Sequence, residues 1–398
     1  MKLAYLSSPG LFGLFTVCRN LRAGLEPLGV ELRWVGHGTW AKRVLENPQW
    51  ESERSRGDVV GGDSEDFDFL GKQLVHHLID QGYDGVITSP PQDLCQMNVV
   101  RYLPDHFTRI LVAQSNALGV FRPLRGLRDY VHAAVGVSPG VRDGLIGYAK
   151  MDPARTTVIG NAGNMALYEA LVPRTPSKTL RLLSFGRIEE RQKGIFWLPQ
   201  ILSLLTDLDV HLTIGGDGVH MSELKSRCAP YADRVTFLGL VPTAKIPALI
   251  GSHDVFILPS RYEGLPSALI ESMAGGCVPV ASRIEGVTDY VLRDNENGRL
   301  FTIGDVATAA KMIRSLAEDR DSLARLSSAA VASVQADFSA QVMGRSYFDL
   351  IQKVRNSPPV LAKPLSLDAW DYPSSFRAGI GRWMPQPIKA AIRSMLRR

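Results

Sequence analysis

Short apolar runs alternate with helical stretches through most of the chain, and this alternation restricts the fold more than any other feature. The runs lie at residues 2–8, 30–36, 84–90, 108–115, 133–139, 156–161, 180–186, 210–216, 234–239, 254–260, 277–282 and 298–303. Helical patterns fill most of the gaps, at residues 16–28, 69–80, 195–205, 245–250, 267–274 and 306–317. Strand–helix–strand alternation implies a parallel sheet with helices on both faces. The sequence therefore predicts an α/β protein.

The alternation weakens once, at residues 170–179, which are rich in Pro, Thr and Ser and indicate a linker. A chain of 398 residues is also too long for one typical core. We therefore expect two doubly wound, Rossmann-like domains, 1–170 and 180–335, that face each other across a cleft. A long helix at 336–356 and a tail at 357–398 follow. In such sheets a ligand binds beyond the carboxyl ends of the strands.

The first eighteen residues, MKLAYLSSPGLFGLFTVC, allow a signal peptide or a buried strand at 2–7 followed by a loop. Pro9, Gly10 and Gly13 would break a signal helix, so the strand is preferred. No apolar run of about 18 residues or more predicts a membrane-spanning helix. The four cysteines are far apart and form no C-x-x-C pair, which favours a reducing, cytoplasmic location.

The net charge of +5 is confined to one end of the chain. Residues 374–398 carry six cations and no acid, so the remainder is close to neutral. This distribution argues against nucleic acid as a partner. In PQPIKAAIRSMLRR, apolar and basic residues fall on different helical faces, as in a helix on an anionic membrane. A terminal helix docked on the body, with a solvated basic face, is the alternative.

Two motifs that often carry chemistry are excluded by their own residues. Residues 136–140 fit the G-x-S-x-G pattern, but Pro139 has no N–H to donate to an oxyanion. Ser138 is instead expected to cap a helix that begins at Pro139. The segment IGGDG at 214–218 lacks the third glycine of a dinucleotide site, and no cluster has metal-ligand spacing. We therefore expect neither a metal nor a cofactor.

Two glutamates, Glu263 and Glu271, enclose the segment Gly-Leu-Pro in RYEGLPSALIESMA. The run before them is a strand, so Glu263 lies in the loop at its carboxyl end and Glu271 about two helical turns further on. Gly264 and the helix start expose backbone amides between the two carboxylates. A ligand with hydroxyls at both ends and a negative centre fits this arrangement.

The loop after the run at 180–186 carries Arg187 and Lys193 and precedes a helix that we expect to begin at Gly194. Two cations and a helix start suit a diphosphate. Because Glu189, Glu190 and Arg191 share the loop, a solvated charged loop is an equal alternative.

Together, FGRIEERQKG, IGGDG, FLGLV and the E-x7-E of YEGLPSALIESMAGGCVPVAS resemble the donor domain of retaining glycosyltransferases of family 4, which have the GT-B architecture. The resemblance covers residues 181 to about 300 closely and the first half loosely. It implies transfer of a sugar, of hexosyltransferase type, from an NDP-sugar with retained anomeric configuration and without a metal. The acceptor would be a glycan or a lipid-linked glycan in surface polysaccharide or glycolipid synthesis.

The resemblance also implies roles for individual residues. Arg187 and Lys193 would neutralise the diphosphate leaving group, Glu263 would contact the sugar, and Glu271 the ribose hydroxyls. Gly239 and Leu240 would contact the nucleotide base. The full set of residues expected to bind the donor is Gly13, Gly186, Gly216, Gly239, Leu240, Gly264, Leu265, Pro266 and Glu271. Ser115, Asn116 and Asn161 are the candidates for acceptor or sugar contacts.

The first half departs from the family where many members carry a histidine, since residues 114–116 here read Gln-Ser-Asn. A nucleotide-sugar-binding protein without turnover fits this departure and stays open as an alternative. A nucleotide-sugar epimerase of similar fold is the other alternative, and it would need acid and base residues in the cleft that the sequence does not show. We also expect the basic tail at 374–398, which contains Trp383, to hold the protein peripherally on the inner face of the cell membrane.

Overall fold

The computed structural model describes residues 1–9, 12–89, 94–169, 171 and 177–376. Of Phe12, Leu14, Trp40, Val44, Gln49 and Glu169 it describes the backbone alone. Most of the expected linker at 170–179 and the amphipathic part of the tail thus lie outside the described residues. None of the described helices has the length and apolar composition needed to cross a bilayer.

The first half forms a parallel sheet of seven strands with helices on both faces. Its strands are β1 (Lys2–Leu6), β2 (Glu31–His37), β3 (Gly57–Val60), β4 (Gly85–Thr88), β5 (Thr108–Ala113), β6 (Ala133–Gly136) and β7 (Thr156–Val158). Its helices are α1 (Phe12–Leu25), α2 (Gly38–Glu46), α3 (Phe67–Asp80), α4 (Leu94–Asn98), α5 (Leu118–Leu124), α6 (Pro139–Gly147) and α7 (Ala166–Glu169). The strand order is β3-β2-β1-β4-β5-β6-β7.

The second half repeats this design with six parallel strands. They are β8 (Leu180–Phe185), β9 (Val210–Gly215), β10 (Val235–Gly239), β11 (Val255–Leu258), β12 (Val278–Ser282) and β13 (Arg299–Phe301). The helices are α8 (Glu190–Lys193), α9 (Trp197–Ser203), α10 (Met221–Cys228), α11 (Ile246–Gly251), α12 (Ser267–Ala274), α13 (Thr288–Val291), α14 (Val306–Glu318), α15 (Arg320–Asp337) and α16 (Ala340–Asn356). The strand order is β10-β9-β8-β11-β12-β13.

Each sheet therefore contains one point at which the strand order reverses. In the second sheet the reversal lies between β8 and β11, which pair in parallel although about 70 residues separate them. The crossovers from these two strands run in opposite directions, so a crevice opens between the loops that follow them. That crevice receives the loop with Arg187 and Lys193 and the loop with Glu263.

The prediction of two doubly wound sheets is confirmed, and each run assigned as a strand contains one. The sequence pattern missed β3, a four-residue edge strand. Its Gly57 packs against the Trp34 ring so closely that a Cβ at this position would overlap the ring. The pattern also missed the helices α2, α4, α5, α7, α8, α10, α13 and α15. The helix expected from residue 336 begins at Ala340 with Ser339 as its cap, because α15 extends to Asp337.

Helix α16 lies against α1 of the first domain, and glycines on both helices allow a close approach. A Cβ at Gly24 would lie 1.9 Å from the carbonyl oxygen of Ala340, and one at Gly344 would lie 2.3 Å from the carbonyl carbon of Gly24. The Tyr347 ring of α16 is fully buried in the same core. This contact attaches the C-terminal part of the chain to the first domain.

After α16 the chain continues along the first domain as an extended segment, residues 357–376, called the strap below. Backbone hydrogen bonds join Ala362 to Asp129 and Leu365 to Arg101. The Trp370 ring stacks on Tyr102 with 4.4 Å between centroids. At the end of the strap, Ser375 Oγ donates to the carbonyl of Pro123 (3.1 Å) in α5.

Candidate nucleotide-sugar site

Three glycine loops meet at the carboxyl edge of the second sheet. Gly186 and Gly216 directly follow β8 and β9, Gly239 is the last residue of β10, and all three have positive φ. The N–H of Gly186 donates to Gly215, and the N–H of Gly216 donates to Gly239 (2.7 Å). A Cβ at Gly216 would lie 1.8 Å from the carbonyl oxygen of Gly186. At Gly216 backbone thus packs on backbone, while at Gly186 and Gly239 the positive φ alone favours glycine.

The crevice between β8 and β11 contains an ion pair that the sequence did not predict. Lys193 Nζ lies 2.7 Å from Glu263 Oε1. Ser260 Oγ donates to the same oxygen (2.6 Å), and Gln192 Nε2 donates to Glu263 Oε2 (3.2 Å). Glu263 is 5% exposed, so its charge is held by three donors in a site that excludes most water. This carboxylate is fixed in position before any ligand binds.

The helix expected to begin at Gly194 does not begin there. Gly194 is the left-handed cap that ends α8, with φ of 59°, and the next helix starts at Trp197. A side chain at Gly194 would meet the carbonyl of Pro259 and the Trp197 ring. Lys193 is therefore the last residue of a helix, and no helix N-terminus lies at Gly194. An anion at this loop would be bound by the cationic side chain of Lys193.

The loop that carries Lys193 is held to the loop after β11 by a contact that sequence reasoning missed. Arg261 donates to the carbonyl oxygen and the carboxylate of Glu190, and it lies over the Trp197 ring at 4.1 Å. The N–H of Arg261 also donates to the carbonyl of Gln192 (2.7 Å). In the sequence, the acids at residues 189–190 were the one sign of a partner for Arg261. The same acids also supported the alternative interpretation of this segment as a solvated charged loop.

Arg187 and Leu240 project from this edge without protein partners. Arg187 is exposed, and no described residue forms an ion pair or side-chain hydrogen bond with it. The Leu240 side chain is 76% exposed just beyond β10. The described residues thus leave one cation and one apolar side chain available to a ligand at the edge where the glycine loops meet.

The second glutamate of the pair, Glu271, lies in α12, and its carboxylate has no hydrogen-bond partner among the described residues. Burial raises the pKa of its carboxyl group to about 7. The nearby Glu271 charge contributes, after burial, to raising the pKa of Tyr168. A carboxylate that is largely desolvated and unpaired lowers the stability of the free protein, and hydroxyl donors from a ligand would satisfy it.

Pro266 and Leu265 connect the two glutamates. Pro266 is the N-cap of α12, directly before the first helical residue, Ser267. Leu265 is 7% exposed and packs near Gly160, so what it can present to a ligand is its backbone N–H.

The first domain contacts the Glu263 loop directly. Ser138 caps α6 as predicted, accepting from the N–H of Val141, and its Oγ also donates to the carbonyl of Gly264 (2.7 Å). A second bridge joins the N–H of Gly140 to the carbonyl of Gly286 (2.9 Å). The serine of the rejected hydrolase motif therefore joins the two domains across the cleft.

Replacing Gly264 by Ala is expected to separate the domains. An added Cβ would lie 2.0 Å from the carbonyl oxygen of Gln114 and 2.9 Å from Cα of Ser115, and both are backbone atoms that cannot move aside locally. We expect a larger radius of gyration in small-angle scattering and a stability loss of about 1–3 kcal/mol. Gly147→Ala, where an added Cβ meets nothing within 4 Å, is the control. An unchanged radius would contradict the interpretation.

The candidate acceptor residues lie at the carboxyl edge of the first sheet. Asn161 is 5% exposed and donates to Gln114 Oε1 (2.7 Å), while Ser115 Oγ accepts from the N–H of Ala117 (3.2 Å). Asn116 is half-buried, with Nδ2 near Gly140. Gly13 lies in the first turn of α1 rather than in a loop, and a Cβ there would meet nothing within 4 Å.

Solved structures of glycosyltransferases match this architecture, so the chain has the GT-B fold. A glycosyltransferase from Rickettsia africae matches with a TM-score of 0.72 and 18% identity over 89% of this chain and 99% of that one. Anabaena HepE in complex with UDP and glucose matches with a TM-score of 0.70 and 20% identity over 89% and 100% of the two chains.

At the level of sequence, residues 179–319 match the family model described as Glycosyl transferases group 1. The lipopolysaccharide core biosynthesis glycosyltransferase LpsE of Rhizobium meliloti is 29% identical over 44% of this chain and 51% of its own length. The phosphatidyl-myo-inositol mannosyltransferase of Mycobacterium leprae is 34% identical over 34% of this chain and 36% of its own. The chain thus spans about half or less of the length of these relatives.

Proposed function

We propose that this protein is a retaining glycosyltransferase of family 4 that transfers a hexose from an NDP-sugar to a glycan or lipid-linked acceptor. The observation that carries the proposal is the pairing of Lys193 with Glu263 in the crevice between β8 and β11, at the domain contact. The match of residues 179–319 to glycosyl transferases group 1 supports it.

In this proposal the diphosphate of the donor binds to Lys193 and Arg187. When the glycosidic bond to the phosphate breaks, negative charge develops on the leaving oxygen, and a cation held at that point lowers the barrier. Lys193 is oriented by its ion pair with Glu263, whereas Arg187 has no partner in the described residues and is free to close on the phosphates.

The remaining groups of the donor are assigned to neighbouring residues. Glu263 accepts from sugar hydroxyls, Glu271 accepts from the ribose hydroxyls, and the base lies against Gly239 and the exposed Leu240. No group in this set is required as a nucleophile. Catalysis then consists of leaving-group stabilisation and positioning, with the donor phosphate accepting the proton of the acceptor hydroxyl.

The acceptor is assigned to the first-domain edge that carries Ser115, Asn116 and Asn161. Relatives named for lipopolysaccharide core and colanic acid biosynthesis support surface polysaccharide or glycolipid synthesis as its setting. Contact of residues 374–398 with the inner face of the cell membrane is part of the proposal, because it would bring the enzyme to a lipid-linked acceptor.

We propose that no metal or cofactor takes part. Within the described residues no group of three or more His, Cys, Asp or Glu side chains is arranged to hold a metal ion. The cations Arg187 and Lys193 supply the charge that a divalent ion would otherwise supply. Turnover unchanged by EDTA is the expected result.

The first test is the thermal stability of the protein with UDP, GDP, ADP and their sugars. A nucleotide at about 100 times its Kd adds about 2.7 kcal/mol to the free energy of unfolding, which is a measurable rise in Tm. We expect one nucleotide series to stabilise the wild type and Glu65→Gln, a control at an exposed acid, but not Glu271→Gln. If no nucleotide shifts the wild type, the proposed function is wrong.

A further inference from the structure

Helix α8 is a single turn that carries two of the groups that donate to Glu263. Lys193 Nζ and Gln192 Nε2 both belong to this turn, and Gly194 ends it. All four residues of α8 are at least partly exposed, so burial of a face does not hold the helix in place. A helix this short is also unstable by itself. The position of Lys193 therefore depends on the other contacts of α8.

Arg261 contacts α8 near both ends of the turn. Its guanidinium donates to the carbonyl oxygen and to Oε1 of Glu190, the first residue of α8. Its backbone N–H donates to the carbonyl of Gln192 (2.7 Å). The guanidinium also lies 4.1 Å from the centroid of the Trp197 ring. Because both terminal nitrogens of this guanidinium are bonded to Glu190, the group is committed to α8 and is not offered to a ligand as Arg187 is.

Glu190 connects this contact to two neighbouring loops. Its Oε2 accepts from the N–H of Phe196 (2.8 Å), and its own N–H donates to Nδ1 of His220 (3.3 Å) in the loop after β9. The side chains of Arg261 and Glu190 are 33% and 20% exposed, so water weakens this ion pair less than it weakens an exposed one. The loops that follow β8, β9 and β11 are thus joined at one residue.

We propose that Arg261 and Glu190 are positioning residues for sugar transfer. They hold α8 so that Lys193 and Gln192 stay against Glu263. Arg261 precedes Glu263 by two residues, so one loop presents the carboxylate and also holds the helix that carries its cation. The leaving phosphate then meets a charge that is already in place. The inference rests on the proposed function, because Arg261 and Glu190 act through the role assigned there to Lys193.

The experiment measures donor cleavage by the full chain with UDP-glucose, GDP-mannose or ADP-glucose, whichever stabilises the protein. Water is the acceptor: the bond from the anomeric carbon to the phosphate oxygen breaks, the phosphate keeps the electron pair, and water supplies the new hydroxyl and releases a proton. Arg261→Met should lower kcat about 10- to 100-fold, because a small displacement of a reacting group costs this much. KM should change by less than about threefold, since Lys193 and Arg187 are still present.

The decisive comparison is made in the Lys193→Met background. There Arg261→Met should lower kcat by less than about twofold, because the cation that it positions is already absent. A further fall of about tenfold or more would show that Arg261 acts independently of Lys193, and it would overturn the proposal. Glu190→Gln should behave in the same way as Arg261→Met in both backgrounds.

Arg314→Met is the matched control. Arg314 is 32% exposed and makes the same kind of contact as Arg261, to one carboxylate and one carbonyl. Its partners are Asp207 and Leu204, which precede β9 at the amino edge of the second sheet. The control should lower Tm about as much as Arg261→Met and leave kcat unchanged. An equal loss of kcat in the control would mean that turnover follows stability alone, and the proposal would be wrong.

A measurement that needs no turnover separates this inference from the proposed function. Acetylation by acetic anhydride, followed at each lysine by mass spectrometry, reports how often Lys193 leaves its pair with Glu263, in which it is 24% exposed. Arg261→Met should raise the labelling rate of Lys193 about threefold or more, and Arg314→Met should not change it. Unchanged labelling in Arg261→Met would overturn the proposal. Absence of donor cleavage in the wild type, with labelling as expected, would count against the proposed function and not against the positioning of Lys193.

Discussion

Replacing Lys193 by Met is expected to reduce kcat for sugar transfer by about 10²–10³-fold. Lys193 is a cation that the fold already fixes in the crevice, through its 2.7 Å pair with Glu263. A preorganised charge costs no reorganisation when the leaving group develops its negative charge, and removing such a group typically loses this factor. The measurement is single-turnover transfer from the nucleotide sugar identified by thermal shift.

The same substitution is expected to lower the free energy of unfolding by about 2–3 kcal/mol, because it leaves the Glu263 carboxylate buried without its cation. The value is smaller than for a fully buried pair, since Lys193 is 24% exposed and Ser260 and Gln192 still donate to Glu263. Adding Glu263→Gln should restore most of this stability but none of the turnover. Lys245→Met, at an exposed lysine, is the control. Recovery of turnover in the double variant would show that Lys193 acts only by supporting the fold.

Replacing Glu271 by Gln is expected to stabilise the free protein at high pH. The wild-type carboxyl has a pKa of about 7 because it is buried, against 4.5 for an exposed glutamate. The folded state thus holds this proton more tightly than the unfolded state, and stability falls as pH rises from about 4.5 to about 7. The variant lacks this fall, so at about pH 8 it should be more stable by about 3 kcal/mol.

Nucleotide-sugar binding should respond in the opposite direction. Ribose hydroxyls donate to the charged carboxylate, so the wild-type affinity should rise with pH and level off above about 7, with a proton released on binding. In Glu271→Gln the affinity should be at least about tenfold weaker and independent of pH over this range. Chemical denaturation and calorimetry at several pH values measure both effects. A variant with the same pH profile as the wild type, in either measurement, would rule out Glu271 as the titrating group.

The candidate site illustrates what spacing in the sequence can and cannot indicate. The positions of Glu263 and Glu271, one in a loop after a strand and one in the following helix, follow from consecutive residues and agree with the structure. The prediction that a helix begins at Gly194 is wrong, because Gly194 adopts a left-handed conformation against Pro259 and Trp197 and ends α8 instead, which the sequence alone does not show. Local pattern assigns the elements, while tertiary contact decides where a short one stops.

The sequence by itself determined the class of fold, the runs that become strands and the residue types in each loop, since hydrophobic periodicity and turn chemistry are properties of neighbouring residues. Only the tertiary structure decided that Lys193 meets Glu263, 70 residues later, and that Ser138 reaches Gly264, 126 residues later. It also decided that the strap ends at α5. These contacts depend on strand order and on the packing of one domain on the other. Both are set by burial of whole faces and by the handedness of the crossovers, to which every element contributes.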